Sequence, residues 1–253
     1  MDVPDRTINS WLTAHRSAAT YSRLRTAGKR LFDPRSIIVS RFFEHRQVYR
    51  QVHNAKLELS LRSPIHRDLS PARGYLTAVQ HDFPHHLFQN TRERSSTFPA
   101  QLQPAISRKE NHATRLAALV LPTSLNNKKR HETLQRFMIV NDSVTVAVEV
   151  PVFLTQEDIR YYRSRGFDLD FESDVITGHI DFLQIRNGHI HILDYKPDAQ
   201  KETHAQVQLT IYALALVRRT SLPLKFFKCG WFDEKDYFDF FPLQGVYRRR
   251  DQR

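Results

Sequence analysis

Asp181, Asp194 and Lys196 are the residues of this 253-residue chain whose types and spacing point to chemistry. Asn187-Gly188 is a two-residue hairpin signal between two apolar stretches, Gly178 to Arg186 and His189 to Lys196. With that turn, Arg186 faces His189, and counting outward sets Ile185 opposite Ile190, Leu183 opposite Ile192 and Asp181 opposite Asp194. Directly opposed residues hold their Cβ atoms ~5 Å apart on one side of a sheet. Lys196 is two residues beyond Asp194 and shares that side. Two carboxylates and an ammonium therefore cluster at the end of an otherwise apolar face. Opposed acids repel unless a positive charge lies between them. A divalent cation beside Lys196 meets that need, and carboxylate oxygens with waters suit Mg²⁺ or Mn²⁺. Such an ion acidifies bound water and stabilises charge growing on a phosphoryl group. The competing reading is a polar strand end with the register misjudged.

The elements that must position these groups are legible around them. Lys129 to Phe137 reads as a helix and Val144 to Phe153 as a Val-rich strand. The hairpin follows, then a helix from Thr203 to Arg219 and strands at Leu224 to Phe232 and Tyr237 to Phe241. Helix, three strands, helix, two strands is an α/β (α+β) layer design with a mixed central sheet. Gln208 and Tyr212 are four apart, so they share one helix face, and His204 joins them. A core tyrosine with a capping glutamine is the plainer account of that pair.

Three linked motifs carry a resemblance. Gly178-His179-Ile180-Asp181, then Asp194-Tyr195-Lys196, then Gln208-Leu209-Thr210-Ile211-Tyr212 resembles the G-x-x-D, D-Y-K and Q-L-x-x-Y signature of RecB-like PD-(D/E)XK nucleases, in order. Arg130 to Phe137 is similar to the family's first helix, where a histidine supplies a metal ligand. His131 is the candidate, though the glycine often seen before that histidine is absent; a plain helix-surface histidine is the alternative, and His112 is a weaker substitute. Val148-Glu149-Val150-Pro151 is similar to a Glu-Val-Pro strand of the same enzymes. Glu149 has opposite parity to Val144, Val146, Val148, Val150 and Val152, so it is either a site acid or the polar face of a strand.

The resemblance implies a restriction-endonuclease-like core and hydrolysis of phosphodiester bonds, most readily in DNA, with RNA as the alternative substrate. It implies that Asp181 and Asp194 bind the metal with the Tyr195 carbonyl as a further ligand. Lys196 would orient water or stabilise developing charge, and the face carrying His204, Gln208 and Tyr212 would approach the nucleic-acid backbone. There is no G-x-x-x-x-G-K-[ST] loop, and the lone Cys229 excludes an internal disulfide and a four-cysteine cluster. These departures fit a free-standing nuclease or one subunit beside a helicase or other processing partner. A non-enzymatic binding module of the same fold is the rival reading.

Composition agrees with a phosphate-directed protein. The net charge is +11. The chain up to Ala105 has 16 Lys and Arg against 8 Asp and Glu, and the remainder 22 against 19, so the excess is +8 and +3 respectively. Such an excess favours polyanions through counterion release. Arg16, Arg23 and Arg30 recur every seven residues on an expected helix from Arg6 to Leu31, suiting a nucleic-acid backbone or a solvated face. Ser36 to Leu61 is expected to add one or two helices, and the proline-punctuated 62–107 to form loops and short elements, with a mobile linker as one reading. The expected division is a basic, mainly helical region over 1–106 and a nuclease domain over 107–253.

His81, His85 and His86 lack a second ligand pair and read as incidental. The aromatic Trp231-Phe232 and Tyr237 to Phe241 segments read as strand packing, or as base-stacking platforms if exposed. Arg248-Arg249-Arg250 is a basic tail. No apolar run approaches the ~18 residues of a membrane span. The first residues, Met1-Asp2-Val3-Pro4-Asp5, lack a secretory layout, so an intracellular protein is expected, cytoplasmic in a prokaryote.

Overall fold

A computed structural model describes residues 38–43, 47–52, 54–61, 68–89, 105–123, 129–167, 169 and 174–246. The expected helix over Arg6 to Leu31, with Arg16, Arg23 and Arg30, lies outside the described residues, as does the Arg248-Arg249-Arg250 tail.

Among the described residues the eight strands are β1 (Ile38–Phe42), β2 (Val48–Val52), β3 (Ser107–Arg108), β4 (Thr145–Thr155), β5 (Val175–Arg186), β6 (His189–Tyr195), β7 (Phe227–Phe232) and β8 (Tyr237–Phe240). They form one sheet in the order β1-β2-β4-β5-β6-β7-β8-β3. All neighbours run antiparallel except β6 and β7. That parallel pair requires a crossover, which is supplied by the buried helix over Ala205–Thr220. The helices are α1 (Asn54–Leu61), α2 (Pro71–His81), α3 (His86–Gln89), α4 (His112–Val120), α5 (Arg130–Asn141), α6 (Gln156–Ser164), α7 (Ala205–Thr220) and α8 (Pro242–Val246). The mixed sheet flanked by helices is the α/β architecture expected from the sequence.

Helix α7 packs against β4, β6, β7 and α2, burying residues all round its circumference. A helix apolar on every side belongs in an interior. On it, Leu209, Ala213 and Leu214 are fully buried, as are Val148, Val150, Phe182, Leu193 and Phe227 on the strands. Cys229 is a buried strand residue, and Trp231 stacks on Phe238 with centroids 5.2 Å apart, so these aromatics pack the last strands.

One expectation needs correction. Ser36 to Leu61 does not fold as helices alone: Ile38–Phe42 and Val48–Val52 are antiparallel strands, and among the described residues of this stretch Asn54–Leu61 is the helical part. The β-branched Ile38, Val39, Val48 and Val52 favour a pleated, half-buried surface, and pairing of β2 with β4 supplies it. Within 62–107, expected as loops and short elements, Pro71–His81 is an 11-residue helix. Pro71 stands in its first turn, where a missing N–H costs no hydrogen bond and φ is already helical. Among the described residues no helix is long and apolar enough to cross a membrane.

Candidate active site

The β5–β6 hairpin turns at Asn187 and Gly188, both at positive φ (51° and 69°). Its ladder pairs Arg186 with His189, Ile185 with Ile190, Leu183 with Ile192 and Phe182 with Leu193. One step further stand Asp181 and Asp194, 8% and 5% exposed. Here a side chain takes over from the backbone ladder: the Tyr195 N–H donates to Asp181 Oδ2 at 3.0 Å.

Three groups surround the two acids. Lys196 Nζ lies 2.8 Å from Asp194 Oδ2, a buried carboxylate oxygen that is otherwise an orphaned acceptor. Lys196 also donates to Gln208 Oε1 at 3.0 Å, and Gln208 Nε2 donates to the Tyr212 hydroxyl at 2.9 Å. From the other side, His131 Nδ1 on α5 is 3.1 Å from Asp181 Oδ2. The His131 ring meets the Tyr195 ring edge-on, centroids 5.0 Å apart. Tyr195 donates its hydroxyl to Glu234 at 3.2 Å, and Glu234 pairs with Arg130, tying the start of α5 to the end of β7.

Glu149 completes the cluster. Val148 pairs with Phe182 and Val150 with Ile180, so Glu149 stands at the step facing Asp181. Its φ is 53°, a conformation rare for a residue with a long side chain and one that clusters at functional sites. Glu149 Oε1 accepts from Gln135 Nε2 at 2.7 Å.

The electrostatics follow from packing acids together away from water. Burial, then the neighbouring Asp181, pushes the Asp194 carboxyl well above its ordinary range, and the two are placed to share a proton. Burial alone would raise Asp181 too, but the His131 hydrogen bond and charge hold it below its usual value. Burial and then Asp181 lift Glu149 to about 7. Burial works against a charged Lys196 and a charged His131; the carboxylates outweigh it and raise both. The site is thus a pocket of surplus negative charge held in check by one lysine, one histidine and shared protons.

Asp181, Asp194, Glu149, His131 and the Tyr195 backbone are donors of the types a hard divalent cation takes. Among the described residues, no three such side chains already stand in metal-coordinating geometry. His131 and Asp181 are hydrogen-bonded to each other, and Asp194 leans on Lys196. The donor set and the orphaned Asp194 oxygen still fit a cation, which would relieve the carboxylate repulsion.

The fold gathers Asp181, Asp194, Tyr195, Lys196, Gln208, Tyr212, His131 and Glu149 from β4, β5, β6, α5 and α7 and the residue just past β6. His204 does not join them by any contact of its ring: it is exposed at the N-terminal end of α7, and its backbone N–H donates to Glu202. Sequence reading missed Gln135, Glu234 and Arg130. Gln135 was detectable, because it lies four residues after His131 on the same helix face. Arg50 and Glu132 were also missed; they line a cavity of about 430 Å³ together with His131, Gln135 and Glu149.

A search among curated proteins found no match to the chain. The model of the PD-(D/E)XK nuclease superfamily matches residues 50–232, well over half of the chain and every element that carries the cluster. With that match and a mixed sheet that joins the two acids and the lysine, the chain belongs to the PD-(D/E)XK nuclease superfamily.

Proposed function

We propose that the protein is a divalent-metal-dependent nuclease of the RecB-like branch that hydrolyses phosphodiester bonds in DNA. The observation that carries this reading is the adjacency of Asp181 and Asp194 with Lys196 Nζ 2.8 Å from Asp194. Asp181, Asp194, His131, Glu149 and the Tyr195 carbonyl are the groups that would hold Mg²⁺ or Mn²⁺. When bound, the ion supplies acidified water and charge stabilisation on the phosphoryl group.

The protein's own groups do the remaining work. Lys196, kept protonated by its acidic neighbours, orients the attacking water or stabilises the developing negative charge. Gln208 fixes the ammonium by accepting from it, and Tyr212 fixes Gln208 in turn. Tyr195 packs the His131 ring in place. The net charge of +11 favours a polyanionic substrate.

The deciding experiment incubates the protein with labelled single-stranded DNA, double-stranded DNA and RNA, with and without Mn²⁺, beside Lys196→Ala. Metal-dependent DNA cleavage that drops at least ~100-fold in the variant supports the proposal. Cleavage of RNA alone overturns the DNA assignment. Binding without cutting under any metal identifies an inactive binding module, and normal cutting by Lys196→Ala rules out this site.

A further inference from the structure

We propose that Arg50 is a phosphate-binding residue, seated in the cavity beside His131 and Glu149, which exchanges its contact with Glu132 for a backbone phosphate of the bound strand. The inference deepens the nuclease reading and rests on it for the identity of the ligand.

Arg50 reaches the cavity because β2 pairs with β4, setting Arg50 opposite Val148, next to Glu149. Its side chain is only 11% exposed, unusual for a guanidinium. The cavity of about 430 Å³ is lined by Gln47, Arg50, His131, Glu132, Gln135 and Glu149. His131 continues inward to Asp181. A strand whose reacting phosphate lies at the two aspartates can therefore place a neighbouring phosphate against Arg50.

The contacts of Arg50 are built to be exchanged. Its Nη2 lies 3.4 Å from Glu132 Oε1, long for a charge-assisted hydrogen bond. The same Glu132 oxygen has a closer partner, Arg136 Nη2 at 2.6 Å. Glu132 therefore keeps a counter-ion when Arg50 leaves it. Arg136 repels Arg50 while Glu132 and Glu149 attract it, so the guanidinium stands among competing charges and is not locked in one ion pair. A phosphate has the charge and the planar-fork acceptors that arginine recognises. Gln47 and Gln135 add amide donors to the same wall.

The test measures binding, so cleavage does not enter it. Anisotropy of a fluorescein-labelled single-stranded DNA oligonucleotide is followed across a KCl series in EDTA, for the full chain, Arg50→Gln, Glu132→Gln and the double variant, with Tm recorded for each. Arg50→Gln is expected to weaken binding ~10-fold and to flatten the slope of log K against log salt by ~0.7, the value for one phosphate contact on a single strand. Glu132→Gln is expected to tighten binding, with the gain lost when Arg50→Gln is added. An unchanged slope in Arg50→Gln, at whatever Tm, overturns the proposal and leaves Arg50 a structural ion-pair residue. So does a Glu132→Gln gain that survives in the double variant. If Arg50→Gln does not fold, an unchanged slope in Glu132→Gln overturns it, and a steeper one supports it. No binding by the unaltered chain at any salt overturns the nucleic-acid reading itself and this proposal with it; binding indifferent to Arg50 overturns this proposal alone.

Discussion

Gly178 and Tyr212 occupy one space: a Cβ on Gly178 would fall inside the Tyr212 ring, against Cε1, Cζ and the hydroxyl. Gly178 lies three residues before Asp181 on β5, and Tyr212 lies on α7 at the end of the Lys196–Gln208–Tyr212 chain. The missing side chain lets the helix sit close enough to the sheet for Gln208 to reach the lysine. Gly178→Ala should therefore cost about 1–3 kcal/mol through overpacking and reduce cleavage by displacing Gln208. Adding Tyr212→Ala should cost less than the sum of the single variants by at least ~1 kcal/mol, since the ring that clashes is gone. Urea titrations of the four proteins measure this, and strict additivity would refute the shared-space account.

Burial and the neighbouring Asp181 push the Asp194 carboxyl well above its ordinary range. Asp194→Asn should consequently change stability in EDTA by no more than about 1 kcal/mol, because it removes a carboxyl whose charged form is opposed by burial and by Asp181. Its effect should appear with metal. The unaltered protein should gain about 2.7 kcal/mol at a Mn²⁺ concentration 100 times its Kd, and the variant should gain almost none. Thermal melts with and without Mn²⁺ decide; an equal metal-induced rise in both would exclude Asp194 as a ligand.

Asp158 secures α6 to α7. It accepts from the Thr155 N–H at 3.0 Å in a capping box and pairs with Arg218 at 2.8 Å and Arg219 at 2.5 Å, itself almost fully buried. Asp158→Ala removes the reciprocal arm of the capping box, leaving the Thr155 cap, and deprives two guanidiniums of their carboxylate, at an expected cost of about 2–4 kcal/mol. Asp158→Asn keeps a capping acceptor and should cost roughly half of that. Chemical denaturation at neutral pH gives both figures; a cost below ~0.5 kcal/mol for the alanine variant would show that the cluster is dispensable.

His191 supplies a pH dependence. Burial, then the nearby Lys228, His189 and Arg186, pushes its imidazole down to about 3. The unfolded chain titrates near the ordinary histidine value of about 6.5, so between there and 3 the unfolded state binds the extra proton. Stability is unaffected by this group above about pH 6.5 and falls by about 1.4 kcal/mol per pH unit as acid is added. In urea titrations at pH 7 and pH 5, His191→Phe should narrow the loss seen in the unaltered protein by about 2 kcal/mol. Parallel losses in the two proteins would mean that His191 does not carry the effect.

The hairpin was legible because everything that sets it is local. Asn187-Gly188 accept positive φ, the turn fixes the first pair, and strand parity propagates the register to Asp181 and Asp194. The D-Y-K triplet and the helical spacing of Gln208 and Tyr212 are likewise short-range patterns, and the structure joins all of them. Glu149 shows where parity stops helping: alternation left it as either a site acid or the polar face of a strand, and its positive φ and its step facing Asp181 are what bring it to the cluster.

Sequence alone therefore determined the two acids, the lysine, the helix that braces them and the family to which they point, because each is fixed by neighbours within a turn or a strand. Tertiary structure alone decided that Ile38–Phe42 and Val48–Val52 are strands, that Arg50 stands next to Glu149 and that Tyr212 fills the space above Gly178. Those outcomes depend on pairing and packing between segments far apart in the chain, whose free energy exists only once the sheet has assembled.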